Sequence, residues 1–326
     1  MTSSDHSLFL YFCDTDVLLL LLNVDDIILV GSSDALLSSF IVKLNKIFAT
    51  EDLEELHYFL GIESTSTADH QSLLLTQSKY ALDLLTKTDM LDYKPCSTAV
   101  AHGPRVSSQD GEPLHDPRAY RSMVGSLQCL TLTRPNITFG INYASQFKHS
   151  PTDSHMLIVK RILRYIKHSL GSGITLTAGD ITNISGYSDL DWAGFLDTRK
   201  STARDCVFLG TSLISWTSKK HSIVSKSSTE AEYKALSLME SEVMWISELL
   251  KELHLSLSIP FILYCDNNGA RALAANLVFH ARTKHIEVYY HYVRDLLEDG
   301  IVHFTYVPSS LRLADILTNG LKLPLF

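Results

Sequence analysis

Residues 184–217, ISGYSDLDWAGFLDTRKSTARDCVFLGTSLISWT, hold three stretches, 184–190, 203–210 and 213–217, with β-branched or aromatic content and turn-forming residues between them. Such stretches read as consecutive strands. Beyond them the period changes, and the spacing predicts one long helix from about Thr229 to Leu253. A strand at 261–266 (FILYCD), a short helix after Asn268, a helix near 284–298, a strand at 302–307 and a last helix near 311–319 complete the chain. Three strands, helix, strand, helices, strand, helix is the order of a mixed sheet covered by helices.

Four acids in this region suggest chemistry. Hydrolysis of a phosphodiester by two divalent cations needs several carboxylates converging on one point, because ions about 4 Å apart must be held together. Asp189 stands near the end of the first strand, and alternation puts it on the same face as Asp191. Asp266 ends the strand FILYCD, where acids reach a crevice at strand carboxyl ends; it could equally cap the helix that follows. Glu232 opens the long helix in SSTEAEYKAL, where it also fits a capping box with Thr229. Asp315, in LADILTNGL, reads equally as a surface carboxylate. No spacing rule shows that the four converge.

Upstream, residues 94–117 contain Pro95, Gly103, Pro104, Gly111, Pro113 and Pro117 with little periodicity and read as a linker or long loop. Helices are expected at about 118–132, 136–148 and 152–169, with Pro135 and Pro151 suited to opening turns. The last of these is amphipathic. Ile158, Val159, Ile162, Leu163 and Ile166 form its apolar face, and Lys160, Arg161, Arg164 and Lys167 lie mostly elsewhere, as a solvated surface or as a weak nucleic-acid contact. Residues 17–30, VLLLLLNVDDIILV, predict a β-hairpin with Asp25 and Asp26 at its tip. A helix follows through Leu36, Leu37, Phe40, Ile41, Leu44 and Ile47, then short strands near Tyr58–Glu63 and Leu73–Leu75 and a helix at about Ser78–Lys87.

Composition sets the remaining bounds. The chain has 326 residues, 45% hydrophobic and 20% charged, enough for more than one core. Its net charge of -8 argues against a nucleic-acid partner until it is divided: residues 1–70 hold 12 acids and two bases, leaving 24 acids and 26 bases for the rest, a net of +2. Cys13, Cys96, Cys129, Cys206 and Cys265 are scattered, with no CxxC pair, so neither a disulfide framework nor a zinc finger is indicated and a reducing compartment follows. The start MTSSDHSLFLYF lacks a secretory pattern, and no apolar run approaches the roughly 18 residues that span a bilayer. An intracellular protein, cytoplasmic or nuclear, is expected.

From about Ser4 onward the chain resembles the reverse transcriptase and ribonuclease H part of copia-type retrotransposon polyproteins, especially plant ones. The matching stretches include NVDDIILVGS, YFLGIE, LTQSKYALDLL, YRSMVGSLQCLTLTRPNI, GYSDLDWAG, DTRKST, ISWTSKK, SSTEAEYKAL, YCDNNGA, FHARTKHIE and LADILTNGL, in the family's order. The resemblance implies a ribonuclease H-like mixed sheet with flanking helices at 181–326, preceded by a partial reverse transcriptase palm and thumb at 1–98 and a helical connection at 99–180: α/β and α+β in class. It also implies that Asp189, Glu232, Asp266 and Asp315 are metal ligands for two Mg2+ ions, with Mn2+ as the other ion such a site takes. The implied reaction is hydrolysis of the RNA strand of an RNA:DNA hybrid, recognised through 2′-hydroxyls and shape. The rival expectation is a non-catalytic transposon relic that binds nucleic acid weakly.

The chain departs from the family in several places. Asn23 replaces the Tyr of the Tyr-Val-Asp-Asp polymerase motif, and the fingers and much of the palm would precede this hairpin, so the resemblance implies that the free chain does not extend a primer. Arg204 and Asp205 stand where Gly-Tyr is usual; Arg271, Asn319 and Ala99 replace an apolar residue, Lys and Pro. His285 and His291 match the family, as packing residues or substrate contacts.

Overall fold

The computed structural model describes residues 2–13, 16–101, 103, 105–275 and 287–308. The expected N-terminal hairpin is formed by β2 (Asp16–Asn23) and β3 (Asp26–Gly31), with Asn23 paired to Asp26 and Val24 at φ +52° in the turn. A strand the sequence reading did not separate, β1 (Leu8–Cys13), pairs antiparallel with β2 and makes a three-stranded sheet. Helix α1 (Asp34–Ile47) follows, capped by Ser33, whose hydroxyl accepts from the Leu36 N–H at 3.3 Å. None of its residues is fully buried, so its apolar face is only half covered by the sheet.

A second sheet begins with β4 (Tyr58–Phe59), β5 (Ile62–Ser66) and β6 (Ser72–Thr76). Helices α2 (Ser78–Lys87), α3 (Pro117–Leu130), α4 (Thr138–Ser145, entered through a 3-10 turn at Pro135–Ile137) and α5 (Asp153–His168) come next. Then β7 (Gly173–Thr177) returns to pair antiparallel with β6. The return needs a glycine. A Cβ on Gly173 would lie 2.0 Å from the Leu75 carbonyl oxygen.

The four helices share one core that includes Leu85, Tyr120, Val124, Leu127, Ile141, Ile162 and Ile166. Residues on both sides of the expected boundary at 98 and 99 contribute to this core. The described residues of segment 94–117 form no helix or strand before Pro117, as its Pro and Gly content implies, yet the segment is anchored: Cys96 N–H donates to the Arg164 carbonyl at 3.3 Å and the Val106 carbonyl accepts from Tyr143 Oη at 2.7 Å.

The third sheet has the order β10-β9-β8-β11-β12. Strands β8 (Ile184–Asp191), β9 (Thr202–Leu209) and β10 (Ser212–Lys220) form an antiparallel meander, while β11 (Phe261–Cys265) and β12 (Val302–Tyr306) run parallel to β8. The crossover is α6 (Ser228–Glu252); α7 (Asn268–Ala275) and α8 (Glu287–Glu298) lie between β11 and β12 in the chain. This is the mixed, helix-flanked sheet that the order of strands and helices predicted. Tyr233, Leu236, Met239 and Val243 of α6 pack on Ile184, Val207 and Leu263. Each such buried side chain contributes roughly 1.5–3 kcal/mol.

The other face of the sheet meets the α3–α4 region: Trp216 Nε1 donates to the Thr131 carbonyl at 2.9 Å, and Asn142 Nδ2 to the Ser218 carbonyl at 2.6 Å. At the far end of α6, Trp245 Nε1 donates to the Ser4 carbonyl at 3.1 Å and His254 stacks on Phe12. No helix among the described residues is long and apolar enough to cross a membrane.

Candidate metal centre at the strand ends

Helix α6 begins at Ser228 with Ser227 as its cap, the hydroxyl accepting from the Glu230 N–H at 3.1 Å. The capping box that Thr229 and Glu232 offered in sequence therefore belongs elsewhere, and Glu232 is carried one turn into the helix, buried over the sheet. At the start of α7, Asn267 Oδ1 accepts from the Ala270 N–H at 2.9 Å. The two acids meet: a ligand atom each from Glu232, Asp266 and Cys265 lie within 4.8 Å of one another.

Cys265 is the member sequence reasoning missed; its only signal was adjacency to Asp266. Burial, with the charges of Glu232 and Asp266 adding, pushes its thiol up to about 12, so it stays protonated at neutral pH. Two of the three possible donors are hard carboxylate oxygens. That chemistry fits a magnesium or manganese ion rather than zinc or copper.

Asp189 is not in this group. The parallel register, with Tyr264 beside Tyr187, brings it level with Asp266. Alternation, however, sends Leu190 to Ala231 and Ala235 of α6 and Asp189 to the opposite face, towards Phe139 of α4. There it faces Arg204, its cross-strand partner in β9. Arg204 Nη1 is 3.1 Å from Asp189 Oδ2, Nη2 is 3.7 Å from Asp191 Oδ2, and the guanidinium lies 4.5 Å over the Phe139 ring. Asp189 and Arg204 are each only 4% exposed. Burial pulls the guanidinium below its ordinary value, and the two carboxylates oppose that pull. Arg105 pairs with Asp191 as well, so carboxylates and guanidiniums alternate.

Asp205, next to Arg204, faces the α6 side. It is 4% exposed, and burial, with Glu242 and Asp189 adding, pushes its carboxyl up to about 7. Both charged residues in place of Gly-Tyr are thus buried, on opposite faces of β9.

The remaining expected residues fall as follows. Asp25 and Asp26 are exposed at the β2–β3 turn, and among the described residues no third ligand side chain joins them. The bases of α5 hold the preceding segment: Arg161 Nη2 donates to Thr98 Oγ1 at 2.6 Å, Arg164 Nε to the Lys94 carbonyl at 2.6 Å and Lys167 Nζ to the Tyr93 carbonyl at 2.8 Å, while Lys160 lies over the Tyr93 ring. Arg271 donates to Asn268 Oδ1 and the Phe304 carbonyl, and Ala99 is buried in the helical core. Asp315, His285 and Asn319 lie outside the described residues, as does the His291 side chain.

A model of the reverse transcriptase (RNA-dependent DNA polymerase) family matches residues 2–102. The retrovirus-related Pol polyprotein from transposon RE1 of Arabidopsis thaliana is 44% identical over 98% of this chain, which spans 22% of that polyprotein's length. An uncharacterized mitochondrial protein of the same plant is 44% identical over 70% of this chain and 94% of its own. Among solved structures, LC11-RNase H1 in complex with an RNA/DNA hybrid aligns with 41% of this chain and 93% of its own at 13% identity and a TM-score of 0.32, too distant to add to the assignment. The ordered motifs and the identity along nearly the whole chain agree: it belongs to the Pol polyproteins of plant Ty1/copia-type transposons, with the reverse transcriptase match at residues 2–102.

Proposed function

We propose that residues 181–326 act as a ribonuclease H-type nuclease that hydrolyses the RNA strand of an RNA:DNA hybrid. The observation that carries this is the convergence of Glu232 and Asp266 at the end of a mixed sheet. Glu232 and Asp266 would hold a divalent cation, Mg2+ or Mn2+, with Asp189 and Asp315 as further donors. A cation bound there supplies charge to stabilise the attacking water and the leaving oxygen. Glu232 and Asp266 would fix where the scissile phosphate sits. RNA would be told from DNA through its 2′-hydroxyls and the shape of the hybrid.

The ion pair between Arg204 and Asp189 favours a second reading, a region that binds hybrid without cutting it. For the N-terminal residues we propose no primer extension, because Asp25 and Asp26 stand on an exposed turn without a third carboxylate among the described residues.

Cleavage of a labelled hybrid by the full chain in Mg2+ and in Mn2+, compared with Glu232→Gln and Asp266→Asn, tests the assignment. Cleavage lost in both variants supports the nuclease. Cleavage untouched by both removes the site, and hybrid binding by a folded chain without cleavage gives the second reading.

A further inference from the structure

We infer that Arg204 is an intramolecular competitor of the divalent cation at Asp189, so that this chain needs more metal to load its centre than the same chain without that guanidinium. The inference rests on the nuclease reading above and concerns one residue that reading does not use.

Three observations carry it. The first is position: the antiparallel register sets Arg204 directly across from Asp189, and the guanidinium takes Asp189 Oδ2 at 3.1 Å, an oxygen a cation would need. The second is the way Arg204 is held. It lies 4.5 Å over Phe139 with its other nitrogen 3.7 Å from Asp191 Oδ2, so it is gripped by the helical layer as well as by the sheet. The third is burial, with both partners 4% exposed. A buried carboxylate stays ionised when a cation or hydrogen-bond donors face it. Here a side chain already provides one, fixed and at high effective concentration. A divalent ion can engage Asp189 only by displacing it, and the displaced guanidinium would stay buried near Asp191 and Arg105, repelling the newcomer.

Arg271 contrasts with this. It is also a base near the centre, but it donates to Asn268 and the Phe304 carbonyl rather than to a candidate ligand. Competition is therefore a property of Arg204 and not of basic residues in general.

The test is Mn2+ binding by the full chain, read from loss of the free-ion paramagnetic resonance signal, and the Mn2+-dependent rise in melting temperature. Arg204→Met keeps the bulk over Phe139 and removes the charge; Arg204→Gln is a second neutral variant in case the first folds poorly; Arg204→Lys keeps the charge. The expected result is at least tenfold tighter Mn2+ binding in the neutral variants, a larger Mn2+-induced melting shift than in the unmodified chain, and no such gain in Arg204→Lys. The cation concentration for half-maximal cleavage is expected to fall in parallel. Equal affinities in the unmodified chain and both neutral variants, all abolished by Asp266→Asn, overturn the competition and leave the nuclease site standing. A gain that survives Asp266→Asn and Glu232→Gln keeps the competition but removes the site proposed at those residues. No Mn2+ binding by any folded variant overturns both.

Discussion

Glu240 lies on α6 with its side chain fully buried and neither carboxyl oxygen hydrogen-bonded. Burial alone pushes its pKa from 4.5 up to about 8. Between those two values the folded protein keeps a proton that the unfolded chain has released, so stability falls as pH rises through the window. The slope is about 1.4 kcal/mol per pH unit, which makes the cost about 3 kcal/mol at pH 7 and about 5 kcal/mol above pH 8, with none remaining at acid pH below the unfolded value. Glu240→Gln keeps the volume and removes the titration. Urea unfolding of the two proteins, followed by circular dichroism at about pH 5, 6, 7 and 8, measures the difference in unfolding free energy. That difference is expected to be small near pH 5 and to grow to about 3 kcal/mol in favour of the variant at pH 7. Asp205 titrates in the same direction, but it is present in both proteins and cancels in the difference. Parallel curves across the range would refute the reasoning, because they would mean that Glu240 is ionised in the folded protein or reaches water.

Gly173→Ala pushes a methyl group against the Leu75 carbonyl and is expected to cost about 2 kcal/mol, seen as a lower melting temperature; an unchanged melt would show that β6 and β7 separate easily. Arg164→Ala removes the donor to the Lys94 carbonyl, so faster amide exchange at 91–98 is expected with hybrid affinity and its salt dependence unchanged. A salt slope shallower by about 1 would instead place Arg164 on a phosphate.

Much of the five-stranded sheet was legible because its strands are short, apolar and punctuated, and its helices are long enough to show a period. The expected 184–190, 203–210 and 213–217 became Ile184–Asp191, Thr202–Leu209 and Ser212–Lys220. Strand β7 was missed because GITLT is brief and its partner β6 lies far away in sequence. The acids were legible as residue types but not as an arrangement. Convergence of Glu232 with Asp266 depends on where α6 starts and on Asn267 capping α7, differences of one or two residues that period cannot resolve. The pairing of Asp189 with Arg204 depends on strand register across the 192–201 connection, and register is set by packing, not by local sequence. The bases of α5 were ambiguous in a different way: a basic helix face does not show in sequence the bonds that Arg164 and Lys167 make to carbonyls of their own chain.

The pairing of Thr76 with Gly173 also sets an order of events during synthesis. Strand β6 leaves the ribosome with one edge open, and its neighbour emerges only after α2 to α5 have been made. At about 5–20 residues per second that interval lasts on the order of 5–20 s. Through it the nascent chain carries an unpaired SLLLT edge that can recruit any other extended segment, including the same edge on a neighbouring nascent chain. Polysomes crowded with this message would therefore be where the protein is most prone to mispair, before the five-stranded sheet has been translated at all.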